Sequence, residues 1–528
     1  MTQAEMISAG KTCIGIEFGS TRIKAVLTGA DNVPLAAGVH DWQNTLQDGV
    51  WTYPLHEVHE GLRLCFADLM QHVEQQFGVK LTTTAAFGIS AMMHGYLVFD
   101  KNGEQLAEFR TWRNTMTEKA AAKLTEAFLF NMPQRLSIAH LYQAILNDEA
   151  HIDQIHFLTT LAGYVHFLLT GEKVIGIGDA SGIFPIDPKK KTYDAQMTAA
   201  FDALTDGTRF EQPLSEILPK IVPVGECAGK LTEAGARLLD PTGIFQAGVP
   251  FCPPEGDAQT GMAATNSIAP RTGNVSAGTS IFSMIVLEQN LKAVHREIDI
   301  VTTPGGDPVA MVHCNSCTTD LDAWVKVFGG LLAGAGVSLP KPQLYDLIYS
   351  LAAKGDTDCG GVISYNYYAG EPVTGLDSGK PLVFRSPDAR FSIENLARSL
   401  VYSTVATLKL GMDILTEEEQ VKLERIYAHG GLFKNPVPSQ SILAAALGAD
   451  ITLMESAGEG GAWGIALLAA YMVRADKEQT LQQFLTECVF KGGSGNTVSP
   501  EMEDMDGIQA YMHLYKAGLS AESAAARI

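Results

Sequence analysis

Short apolar runs broken by glycine and hydroxyl residues alternate with longer stretches whose apolar positions recur every three or four residues. Thr12 to Phe18 and Ile23 to Leu27 read as two strands around a Gly19-Ser20-Thr21-Arg22 turn. Glu57 to Phe77 reads as a helix, with Leu62, Phe66, Leu69, Val73 and Phe77 on one face and Gly78 as its stop. Ala85 to Ser90 is a candidate buried strand that runs into Met92-Met93-His94-Gly95. Leu97 to Asp100 follows, with a turn at Lys101-Asn102-Gly103. The chain then reads as helical from Thr115 to Asn147-Asp148, and Leu158 to Leu169 as one long apolar helix ended by Gly171.

The later half repeats the order strand, turn, strand, helix, although no repeat is visible residue by residue. Ser392 is placed to cap a helix with Glu394 in its first turn and Leu396, Leu400, Thr404, Leu408 and Met412 along it. Ile426 to Ala428 is a short strand before Gly430-Gly431, and a final helical stretch starts near Gly458. This alternation predicts an α/β architecture.

At 528 residues the chain is too long for one core, so two large domains are expected, 1–265 and 266–528. Hydrophobic residues make up 46% and charged residues 18%, which argues for a packed fold rather than disorder. A formal net charge of -21 disfavours nucleic acid and anionic membranes as partners. It does not exclude an anionic nucleotide, because a local pocket of amides can override the global field. Neither a signal peptide nor an apolar stretch approaching the roughly 20 residues of a membrane span is read, so a cytoplasmic location is expected. Eight scattered cysteines read as reduced, buried thiols. Cys314-Asn315-Ser316-Cys317 has metal-like spacing but no second pair, and is taken as two incidental thiols. Pro188-Lys189-Lys190-Lys191 is a solvated basic turn.

Two segments carry the chemistry. Gly15-Ile16-Glu17-Phe18-Gly19-Ser20-Thr21 and Gly273-Asn274-Val275-Ser276-Ala277-Gly278-Thr279-Ser280 each put a Gly-hydroxyl pair between strand-like runs. Glycine permits close backbone approach, and amides and hydroxyls donate to anionic oxygens, so such turns suit phosphate. One per half suggests a nucleotide held between two related domains. Gly256-Asp257-Ala258-Gln259 lies between them, and its carboxylate suits a base beside a transferred phosphate or a helix N-cap, since Ala258 to Met262 can open a helix.

In this order the motifs resemble the FGGY-type carbohydrate kinases. The series is the first turn, Met93-His94-Gly95, Thr111-Trp112-Arg113-Asn114, Leu169-Thr170-Gly171, Asp179-Ala180-Ser181, Gly256-Asp257, Gly278-Thr279-Ser280, Tyr367-Tyr368-Ala369-Gly370-Glu371 and Gly430-Gly431. The resemblance spans nearly the whole chain and implies two actin-like ATPase (ribonuclease H-like) domains with a cleft between them. It implies ATP and Mg2+ as cofactors and a small sugar as partner, most like the xylulose kinases, with a ketopentose such as xylulose or ribulose as acceptor. A homodimer is compatible with it.

By the same resemblance Asp257 is the catalytic base and touches both substrate and metal. Met93, His94, Trp112 and Asn114 meet the sugar. Gly19, Ser20, Thr21, Gly278 and Thr279 hold phosphate, Gly430, Gly431 and Asn435 take the adenosine, and Glu17 joins Asp257 at magnesium. Two departures stand out: Glu17 where the family usually has Asp, and Asn114 where many relatives carry Asp. They keep open a ketohexose or polyol acceptor, or a non-catalytic sugar- or nucleotide-binding protein of this fold.

Overall fold

The computed structural model describes residues 1–454, 460–491 and 495–528, so the predicted helix start at Gly458 lies outside the described residues. The chain forms two compact units. Residues 1–268, 300–309 and 460–491 make the first, and 269–299, 310–454 and 495–528 the second.

The core of the first unit is a five-stranded sheet. Its strands are β1 (Cys13–Phe18), β2 (Arg22–Thr28), β3 (Pro34–Asp41), β4 (Ala86–Ala91) and β5 (Glu255–Gly256), in the spatial order β5-β4-β1-β2-β3. The β1–β2 hairpin and β3 are antiparallel, while β1, β4 and β5 run parallel. Both β1 and β4 are almost wholly buried, as expected for the middle of a covered sheet. The Leu55–Phe77 helix lays Val58, Leu62, Phe66, Leu69 and Val73 on the sheet and ends at Gly78 in the left-handed conformation. The predicted stripe and stop both hold, except that Phe77 lies at the edge of this core.

The second unit repeats the order. Six strands of its seven-stranded sheet are β6 (Thr272–Ala277), β7 (Ile281–Val286), β8 (Pro308–Cys314), β9 (Arg425–His429), β10 (Asp450–Met454) and β11 (Gly495–Val498), arranged β8-β7-β6-β9-β10-β11. Again a hairpin, β6–β7, is followed by parallel partners β9 and β10. The duplication absent from the residues is present in the topology. Ser392 caps the Ile393–Asp413 helix through Asn395 N (3.2 Å) as predicted.

Three sequence expectations differ from the fold. The region after Thr115 forms two helices, Glu118–Phe128 and Ser137–Leu146, separated at Pro133. Leu158 belongs to a short strand, Phe157–Thr159, and the helix begins at Leu161 because Thr160 Oγ1 caps it by accepting from Gly163 N (3.2 Å). Finally, Met502–Ala525 is a helix that the sequence reading passed over; it buries Ile508, Tyr511, Met512 and Tyr515. No helix among the described residues is long and apolar enough to cross a membrane. Cys314 and Cys317 are both buried free thiols, and burial raises both above the usual thiol range.

The Gly460–Arg474 helix packs on β1, β4 and the Asp257–Ala264 helix of the first unit. Glycine makes that packing possible. A Cβ on Gly15 would overlap Ala462 O, and one on Gly464 would overlap Thr260 O. Gly464→Ala should therefore cost about 1–3 kcal/mol through overpacking. Gly330→Ala, in an exposed helix position where a methyl meets nothing within 4 Å, should be neutral or gain about 0.5–1 kcal/mol. Calorimetric unfolding of both variants checks the contrast; equal shifts would show that the crossing tolerates a methyl.

Candidate functional site

In the first unit β1, β4 and β5 are parallel, so their carboxyl ends meet along one edge of the sheet. That edge is where α/β folds present ligand groups, because the following loops and helix N-termini converge there. Three predicted segments emerge from it: Gly19-Ser20-Thr21 after β1, Met92-Met93-His94 after β4, and Asp257 after β5.

Asp257 opens the Asp257–Ala264 helix. Its Oδ1 accepts from Met93 N (3.0 Å) and from Ala258 N (2.9 Å). Burial pushes the carboxyl up to about 6, against the opposing pull of those N–H donors. Gly256, not Asp257, is the N-cap of this helix, so the expected cap falls one residue earlier and Asp257 stands at the first helical position with a carboxyl that titrates near neutrality.

Glu17 lies opposite Lys24 on β2 and Ser90 on β4. Burial, and then the Asp257 charge, raise it to about 7, while the Ala462 and Gly461 amides and Lys24 draw it back. The longer carboxylate therefore reaches the N-terminus of the Gly460–Arg474 helix, where partial positive charge gathers. Gly461 makes room for it, since a Cβ there would overlap Glu17 Oε1. Ser90 Oγ and Thr260 Oγ1, 3.0 Å apart, fill the adjoining space.

The first turn is held from behind. Trp42 Nε1 donates to Gly19 O (2.7 Å), Tyr53 Oη to Ser20 O (2.7 Å), and Trp42 N to Thr21 O (3.1 Å). In a trans peptide the N–H points opposite the carbonyl, so the Ser20 and Thr21 amides face away from the two aromatics. The second unit uses the same device. Thr318 N and Oγ1 donate to Gly278 O (3.2 and 2.8 Å), and Cys317 N donates to Thr279 O (2.9 Å). The Thr279 and Ser280 amides are thereby turned outward. Gly430 follows β9 with φ 109°, and a Cβ there would overlap Ala277 O at the end of β6. Only glycine joins the two strand ends this closely. Gly431 has open space around it, and Asn435 donates its amide to Asp346 Oδ1.

The sugar-segment residues take different places. Met93 is buried beside Asp257 through its amide. His94 is buried at φ 66°, unusual for a residue with a Cβ. Its Nδ1 lies 3.2 Å from Gly182 O, and its Nε2 accepts from Arg135 Nε at 3.2 Å. Burial and the Arg135 charge hold the ring near 3, so it is neutral, and those two partners fix Nδ1 as the protonated nitrogen. Trp112 is 40% exposed. Asn114 is buried, and its amide is engaged: Oδ1 accepts from Trp51 N (2.9 Å) while Nδ2 donates to Trp51 O (2.9 Å) and Thr111 O (3.0 Å). This pairing needs an acceptor and a donor on one side chain, which explains an amide where many relatives carry a carboxylate.

Sequence reasoning missed Asp179 and Glu255 as site residues. Thr160 Oγ1 donates to Asp179 Oδ2 (2.6 Å), while Asp179 Oδ1 and Gln259 Oε1 are buried acceptors with no protein donor. Glu255 accepts from the Gly178 and Asp179 amides (3.3 and 2.8 Å). Burial raises Asp179 to about 7 and Glu255 to about 8. The Asp179-Ala180-Ser181 motif was visible; its packing against Gly256 was not.

Asn114→Asp is expected to lose the donors to Trp51 and Thr111 and to destabilise the first unit by about 1–3 kcal/mol at pH 7. The deficit should narrow toward pH 4, as the protonated acid regains a donor. Denaturant titrations at the two pH values check this; a pH-independent deficit would point to packing instead.

Two family models match the chain: the N-terminal domain of the FGGY family of carbohydrate kinases over residues 12–263 and the C-terminal domain over residues 273–473. The chain is 24% identical over 404 residues to the xylulose kinase of Haemophilus influenzae, covering 71% of this chain and 76% of that protein. It is 21% identical over 446 residues to the xylulose kinase of Lactococcus lactis, covering 80% of each. The ligand-bound xylulose kinase structure from Lactobacillus acidophilus superposes with a TM-score of 0.80 at 16% identity, covering 98% of this chain and 99% of that one, which shows a shared two-domain fold. Matched by both domain models across most of its length, the chain belongs to the FGGY family of carbohydrate kinases, phosphotransferases with an alcohol group as acceptor.

Proposed function

We propose that the protein transfers the γ-phosphoryl of ATP to a hydroxyl of a ketopentose such as xylulose or ribulose, with Asp257 as general base. The observation that carries the reading is the Asp257 carboxylate, oriented by Met93 N and poised near pH 6 at the edge where the sugar segment and first phosphate turn emerge. With Oδ1 held by two amides, Oδ2 takes the proton of the acceptor hydroxyl. The deprotonated acceptor hydroxyl oxygen bonds to the γ-phosphorus as the bond to the β–γ bridging oxygen breaks and ADP leaves with its electron pair. The outward amides of Ser20, Thr21, Thr279 and Ser280 suit the nucleotide's phosphates, as Gly430 and Gly431 suit a flat base and ribose. The names of the two sequence relatives support a pentulose as acceptor.

Among the described residues no group of three or more His, Cys, Asp or Glu forms a metal cage. Magnesium does not require one; it keeps several waters and binds through one or two carboxylates plus substrate phosphates. The Asp257 charge raises the cost of ionising Glu17, a repulsion that a cation relieves, so the two fit the role of holding its waters. Bound there, magnesium supplies charge neutralisation on the phosphates. Nothing in the reading needs a nucleic acid or a membrane, and the location we propose is the cytoplasm.

ATP consumption across ketopentoses, ketohexoses and polyols tests the assignment, with a ketopentose expected to give the highest kcat/KM. Asp257→Asn should lower kcat by about 10²–10⁴-fold with sugar and ATP still bound; retention of more than about half the rate would remove Asp257 as the base. In the wild type the base works deprotonated, so kcat/KM should fall as pH drops through about 6, the raised value of Asp257. A pH profile flat from about 7 to 5 would contradict this.

Glu17→Asp should draw the carboxylate back from the Gly461 and Ala462 amides and lower kcat with little change in sugar affinity. Glu17→Gln should be worse, since it removes charge as well. A gain of about tenfold or more in the Asp variant would favour a non-catalytic binding protein over the kinase.

A further inference from the structure

A cavity of about 220 Å³ lies within the second unit. Its walls are the carboxyl end of the Ile393–Asp413 helix with the turn after it, the carboxyl end of the Pro436–Leu447 helix, and the start of the Met502–Ala525 helix. Leu447 and Gly448 lead into β10, so the cavity stands at the amino-terminal edge of the parallel strands, away from the edge where Gly430 follows β9. An ion pair is built into it. Lys409 is 8% exposed, and its Nζ donates to Asp413 Oδ1 (2.8 Å). Among the described residues that is the ammonium's one acceptor, although it carries three N–H groups. A buried ammonium with unspent donors calls for oxygen atoms beside it. Another wall calls for donors. Gly448 N takes Ala444 O (2.8 Å), and the carbonyls of Ala445, Ala446 and Leu447 have no partner inside their helix.

Charge narrows the class of ligand. A free anion would meet Asp413, Glu417 and the negative end of a helix. A free cation would meet Lys409, with Lys516 Nζ already on Asp413 Oδ2 (3.2 Å). A neutral molecule bearing hydroxyls satisfies both walls, because each hydroxyl donates one hydrogen bond and accepts others. The volume lies below the roughly 300–1,000 Å³ of drug-sized pockets, which rules out a nucleotide and suits a compact sugar or sugar alcohol. We infer that this cavity is a second, peripheral binding site for a small neutral polyhydroxylated molecule, with Lys409 and Asp413 as its polar anchors. The site goes beyond the kinase reading above and does not depend on it.

Methyl NMR of the full chain, labelled at its methionine methyl groups and titrated with xylitol, ribitol, sorbitol, xylulose and ribulose, tests the site. Met412 and Met505 line the cavity, while Met93 lies beside Asp257 and reports on the acceptor site. At least one of these probes should shift the Met412 and Met505 signals saturably, with a Kd of about 0.1–10 mM, on a concentration scale separate from any shift of Met93. Gln509→Trp, at an exposed position on the cavity wall, should weaken that response about tenfold or more and leave the Met93 response unchanged. Lys409→Met combined with Asp413→Leu, which replaces the ion pair by apolar groups, should do the same. Met412 and Met505 signals unmoved by every probe up to about 50 mM, or a response that Gln509→Trp leaves intact, would overturn the inference. So would Met412 shifts that follow those of Met93 at every concentration, or saturation by sodium sulfate or ammonium chloride with none by the polyols and sugars. Shifts at Met412 and Met505 with none at Met93 would uphold this site and count against the acceptor class proposed above.

Discussion

The first unit depends on keeping several carboxylates ionisable at one edge of a sheet with backbone amides as their donors. Asp257 rests on the amides of Met93 and Ala258, Glu17 on those of Gly461 and Ala462, and Glu255 on those of Gly178 and Asp179. Amides hold a carboxylate in place without neutralising it, so burial still lifts each group toward neutral pH. A salt bridge would have pinned these groups low, where they could not take a proton. The arrangement leaves these groups free to gain or lose a proton near neutral pH at a cost in stability.

Glycine is the other half of that design. Each amide-held carboxylate lies against a glycine whose Cβ would collide with it or its neighbours: Gly461 against Glu17, Gly176 and Gly178 against Glu255, and Gly256 against Met93 and Gln259. The exposed turns follow one rule in both units. Their carbonyls are taken by donors from behind, Trp42 and Tyr53 in one, Cys317 and Thr318 in the other, so the free edge of each turn is made of N–H groups. Two units of the same strand order thus present N–H edges by the same local means, with different residues supplying the support.

Glu17 and Asn114, the two departures from the family pattern, have local physical accounts. The extra methylene of Glu17 spans to a helix N-terminus that glycine opens to it. The Asn114 amide pairs with both backbone groups of Trp51, which a carboxylate could not do. Both depend on neighbours in tertiary contact, Gly461 and Trp51, that lie far away in sequence.

By itself the sequence determined the hairpin turns, the apolar stripe of the Leu55–Phe77 helix, the Ser392 cap and the helix that opens at the Asp257 segment. All are local: glycine stereochemistry, side-chain periodicity and capping act over a few residues. The Met502–Ala525 helix was legible too, since Ile508, Tyr511, Met512 and Tyr515 recur at helical spacing, but its acidic flank at Glu501 to Asp506 hid the stripe. The start of the Leu161–Thr170 helix was misplaced because an apolar run alone does not separate a strand residue from a helix residue; the Thr160 cap does. Tertiary structure alone decided that residues 460–474 return to the first unit to meet Glu17, that Asp179 lies beside Gly256 and bonds Glu255 through its amide, and that His94 faces Gly182 and Arg135. Those contacts join residues tens to hundreds of positions apart, and their geometry is set by parallel strand pairing and close helix crossing, which no local pattern encodes.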